Sequence, residues 1–72
     1  MPKCSEYDRL QSKVENVLTR LAQTTSLLLE LFRARDLKGV HDLDKELELI
    51  VGEKERSIGA LRQHLSEHNC AA

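Results

Sequence analysis

Two thiols and two imidazoles carry whatever chemistry this chain has. Three of them fall in one short run, His64-Leu65-Ser66-Glu67-His68-Asn69-Cys70, and the fourth, Cys4, stands at the far end of the sequence. His64 and His68 are four residues apart, so on a helix both rings leave the same face. Structural zinc favours a closed Cys₂His₂ shell, and histidines spaced three to five residues apart are common in such sites. Against that, the cysteines are not paired as C-x-x-C. Three outcomes stay open for Cys4, His64, His68 and Cys70. All four hold a zinc ion, or Cys4 and Cys70 form a disulfide, or there is no link and the histidines are seam residues of a helix end.

The run also spells H-x-x-E-H, the letters of the inverted zinc-protease motif, in which two histidines hold zinc and the glutamate is the general base. Such an enzyme needs a third protein ligand, an open coordination position and a cleft for substrate. Nothing else in the sequence supplies them. The residues three before His41, His64 and His68 are Lys38, Leu61 and Leu65, so no Glu-x-x-His di-iron motif is present. No glycine pattern cradles a phosphate, and Ser26 and Ser57 lack a neighbouring His-acid pair. The sequence reads as non-enzymatic.

For the ends to meet, the chain must double back once, and the apolar spacing predicts that it does. With Tyr7 at heptad position a, residues Leu10, Val14, Val17, Leu21, Thr24, Leu28 and Leu31 fall at successive a and d positions, a helical stripe. Ser5 with Asp8 three residues later resembles a capping box. The phase is lost around Asp36 to Asp42, where Gly39 offers the left-handed conformation that often ends a helix. Basic Arg33, Arg35 and Lys38 precede this break and acidic Asp42, Asp44, Glu46 and Glu48 follow it, each sign suiting the dipole of its helix end. A second seam then runs through Leu43, Leu47, Ile50, Lys54, Ser57, Leu61, His64 and His68. The expected fold is all-α: an antiparallel two-helix hairpin over residues 5–37 and 42–69, one domain spanning 1–72. A turn at Lys38-Gly39 sets His64 near Lys13, His68 near Arg9 and Cys70 near Tyr7, with Cys4 about a turn away.

Size makes a further staple or partner expected. The chain has 72 residues, 40% hydrophobic and 32% charged, and a lone core of this size supplies little net stability. The half nearest the turn is apolar nearly all round, and Leu27, Leu29, Phe32, Leu49 and Val51 cannot all face a single partner helix. They form the expected interface of a homodimer, two hairpins closing a four-helix bundle. Midway the seam turns polar, with Thr24 and Thr25 expected across from Lys54 and Ser57. Either Lys54 reaches out of the seam and the hydroxyls bond their own backbone, or a buried polar contact pins the register. Gly52 and Gly59, seven apart, mark either a close approach of another helix or a tolerant outer surface.

Charge narrows the partners. The net charge is -1 with both signs interspersed, so no basic stripe marks a nucleic-acid reader. Unbroken apolar runs such as Leu27 to Leu29 are far too short to span a bilayer. No apolar leader core is visible at the start, which makes the cytoplasm the expected compartment, and thiols there usually stay reduced. The expected role is that of a self-associating structural module, with another protein as a further possible partner. A small zinc-binding or thiol-redox module is the alternative.

Overall fold

The computed structural model describes residues 4–68, and for His68 the backbone alone. It is an antiparallel hairpin of two helices, α1 (Ser5–Arg33) and α2 (Leu37–His68). No strand occurs among the described residues. Cys4 is the N-cap of α1, with extended backbone and a carbonyl that accepts the Asp8 N–H at 3.1 Å. Its side chain makes no capping bond. The expected Ser5–Asp8 capping box is therefore corrected: Ser5 is already the first helical residue, and Glu6 and Asp8 meet the dipole as first-turn acids.

The turn comes earlier than the apolar pattern suggested. α1 stops at Arg33, Arg35 N–H donates to the Phe32 carbonyl at 3.1 Å, and Asp36 N–H donates to the Leu31 carbonyl at 3.0 Å. These are the paired bonds of a Schellman closure, which needs one left-handed residue. That residue is Arg35, with φ of 60°. Asp36 then opens α2, because its carbonyl accepts the Val40 N–H at 2.9 Å and its Oδ1 accepts the Gly39 N–H at 3.0 Å. The second bond is an N-cap contact to the third helical residue.

Gly39 thus sits inside α2 with an ordinary negative φ, and the helices span 5–33 and 37–68 where 5–37 and 42–69 were expected. Its missing side chain serves the cap, since a Cβ there would lie 2.7 Å from Asp36 Oδ2. The acids expected to crowd the start of α2 lie further in, and no acidic residue occupies its first turn. The Asp36 carboxylate, one residue outside, takes that place.

Moving the turn slides the register by about one helical turn. Arg20 Nη1 contacts Glu53 Oε2 at 2.8 Å, where a turn at Gly39 would have set Arg20 against Ser57. Ser57 is instead buried beside Leu10 and Lys13, away from Thr24 and Thr25. Thr25 Oγ1 donates to the Leu21 carbonyl within its own helix, and half-buried Lys54 reaches Glu55 at 3.3 Å.

The seam itself is as the heptads require: every assigned a and d position on both helices from Tyr7 to His64 is buried or half-buried. Yet the enclosed core is thin. Among the described apolar residues only Leu10, Val17 and Ile50 are buried. The hairpin is a rod of 53 × 17 × 13 Å with a radius of gyration of 16.1 Å, against about 11 Å for a compact domain of this length.

Candidate functional site

The first candidate site lies at the open end of the rod. The register shift brings His64 to the N-terminus of α1, where Cys4 Sγ lies 3.2 Å from His64 Nε2. Either the thiol donates to the ring or the ring N–H donates to sulfur, according to the tautomer. The imidazole is 9% exposed and Cys4 half-buried. A groove of about 400 Å³ runs beside them, lined by Glu6, Arg9, Leu10, Ala60, Gln63 and Glu67 along with His64. In it Glu6 accepts two hydrogen bonds from Arg9, and that contact raises the guanidinium pKa through the hydrogen bond first and the carboxylate charge second.

Of the four residues expected to form a metal shell, the structure thus joins Cys4 and His64. The His68 side chain and Cys70 lie outside the described residues, as does any Cys4–Cys70 bond. Among the described residues no group of three or more His, Cys, Asp or Glu side chains is placed to hold a metal ion. A thiol and an imidazole can supply two ligands of a tetrahedral zinc site; completing it requires two more.

The second candidate site is a face of the rod. The Arg20–Glu53 pair identifies one broad face, and Lys13, Arg56 and Ala60 line a groove of about 520 Å³ along it. At 3.6 residues per turn the opposite flank of α1 carries Leu18, Ala22, Thr25, Leu29 and Phe32, spaced alternately four and three apart. The flank of α2 on that same side carries Val40, Leu47, Val51, Ile58 and Leu65. One face is therefore charged and bridged, the other apolar along the rod. Thr25, Leu28, Leu29 and Phe32 frame a shallow apolar groove on it.

Of the five residues expected at an interface, all are exposed, from Val51 at 38% to Leu49 at 70%. Leu29, Phe32 and Val51 share the apolar face, whereas Leu27 and Leu49 leave the opposite flanks. Leu18 and Ile58 belong to the same apolar face. The signal for Leu18 was present in the sequence as the four-three spacing that links it to Phe32, but aligning the two flanks required the register.

Gly52 and Gly59 lie on the back of α2. A Cβ at Gly52 would meet the tip of Arg56 at 3.3 Å, and one at Gly59 would meet nothing within 4 Å. Among the described residues, the other helix packs against neither. No helix among the described residues is long and apolar enough to cross a membrane. No protein-family model, no curated protein and no solved structure matches the chain.

Proposed function

We propose that this is a non-enzymatic assembly module: a helical hairpin that pairs with a second copy through its apolar face to close a four-helix bundle. The observation that carries the reading is surface area. The chain exposes 5626 Å², whereas a compact monomer of its mass exposes about 4,500 Å². The excess, roughly 1,100 Å², is of the size that one partner covers in a standard interface, about 800 Å². A second copy fits because two flat faces of the same rod can cover one another along their whole length and complete a closed two-fold assembly. Burying Phe32, at present 64% exposed, together with Leu29 and Leu18, would contribute about 1.5–3 kcal/mol for each fully covered side chain.

Leu27 and Leu49 stay outside such a bundle and offer small apolar points for another protein. Equilibrium sedimentation over 1–100 μM tests the proposal directly. A dimer is expected through the micromolar range, and a monomer at the highest concentration rejects it.

The Cys4–His64 contact favours a second reading, in which the open end also works as a zinc or thiol-redox corner with His68 and Cys70 as the remaining ligands. Native mass spectrometry separates the possibilities: one added zinc per chain supports metal binding, and a loss of two daltons under oxidant supports a disulfide. An unchanged mass in both experiments removes this reading and leaves the assembly reading intact.

A further inference from the structure

Resting on the dimer reading above, we infer how the second copy is seated: its turn lies at the opposite end of the rod, α1 packs on α1 and α2 on α2, and Arg62 of each copy meets Asp44 of the other. A two-fold axis lying in the plane of the apolar face can run in two directions. Along the rod, it brings the two turns together and lays α1 of one copy over α2 of the other. Across the rod, it sets the turns apart and lays like helix on like helix.

With the turns together, each α1 residue meets the α2 residue at its own height, and the Arg20–Glu53 pair sets those heights. Leu18 then falls on Glu55 and Leu29 on Asp44, so carboxylates are covered by leucine. Asp44 then lies under an apolar side chain with no opposite charge at its height, and uncompensated burial of charge opposes association.

With the turns apart, each height meets its mirror image about the middle of the rod. Leu18 then faces Ala22, large against small. Tyr7 and Phe32, the only aromatic residues in the chain and set near opposite ends of α1, face each other twice.

The strongest discriminator is charge. Asp44 and Arg62 are separated by five whole turns of α2, so they leave it in the same direction, on the outer edge of the apolar face beside Val51 and Ile58. Both are exposed, and neither has an ion-pair partner among the described residues. Within one copy they are about 27 Å apart along the helix and cannot meet. Across a turns-apart dimer, each finds the other at both ends of the interface.

Sedimentation of the full chain with Arg62→Asp, Asp44→Arg and the double substitution tests the inference. Each single change should weaken the dimer about tenfold, since two pairs are converted to repulsion at once. The double change restores opposite charges and should return the dissociation constant to within about threefold of wild type. A spin label carried on an azido side chain at position 38, where Lys38 is 91% exposed, leaves both cysteines untouched and reads the geometry independently. Turns apart give a label-to-label distance of about 45 Å or more, and turns together about 25 Å or less. A wild-type dimer with no rescue, or with the short distance, overturns the seating while the assembly reading stands. A wild-type monomer overturns both.

Discussion

Arg20 Nη1 and Glu53 Oε2, 33 residues apart in sequence, sit 2.8 Å apart across the two helices, and this contact marks the register of the hairpin and one of its two faces. Both side chains are well exposed, at 51% and 37%, so the pair labels the alignment more than it creates it. Replacing Arg20 with Ala should lower stability by no more than about 0.5 kcal/mol in urea denaturation. A loss of several kcal/mol would show that the pair is structurally essential and that the seam alone does not set the register.

Arg35 is the strained residue of the turn. A non-glycine residue in the left-handed region costs about 1–2 kcal/mol, and the Schellman closure favours glycine at that position. Arg35→Gly should therefore raise stability by about 0.5–1 kcal/mol after the added freedom of the unfolded chain is subtracted. A chemical denaturation midpoint that falls on substitution would contradict this account.

The two glycines Gly39 and Gly59 should respond in opposite ways to the same change. Gly59→Ala adds a methyl to open space and should stabilise the helix by about 1 kcal/mol. Gly39→Ala gains the same propensity but pushes its Cβ to 2.7 Å from the Asp36 carboxylate, displacing a cap worth about 1 kcal/mol. It should come out neutral or destabilising. Equal gains at both positions would mean that the Asp36 cap contributes little, and Asp36→Ala, expected to lose about 1 kcal/mol, checks that directly.

On the apolar face, Phe32→Asp should raise the dimer dissociation constant by at least 30-fold, from a lost side-chain burial of about 2 kcal/mol or more. Leu49→Asp, an equally large change on the other flank, should shift it less than about threefold. Concentration-dependent sedimentation of the two variants distinguishes them. Equal effects would place the interface elsewhere.

At the open end, Cys4→Ala removes the sulfur that faces buried His64 and should lower stability by about 1 kcal/mol through the lost contact. Thermal melts with and without the substitution measure it. If zinc completes the corner, a chelator should reproduce that loss in wild type and leave Cys4→Ala unchanged.

The heptads were legible because helix period and apolar spacing are both local. Tyr7 to Leu31 and Leu43 to His64 could be assigned to one seam each, and those positions are the covered ones. The charged letters near the turn could be read too, but not their roles. Asp36 looked like part of the break and is the cap of α2; Gly39 looked like the helix stop and is the space that cap needs. A cap is a competition among neighbouring residues for the same backbone groups, and periodicity carries no information about which one wins.

By itself, then, the sequence determined two long amphipathic helices, a single reversal between them, and more apolar surface than one partner helix can hide. Only the tertiary structure decided where the reversal closes, and with it that Arg20 meets Glu53, that His64 meets Cys4, and that Leu18 and Phe32 share a face with Val51 and Ile58. The physical reason is that a shift of one turn leaves every heptad position in the seam. Helix periodicity is nearly blind to such a slide, whereas contacts between the helices change their partners completely.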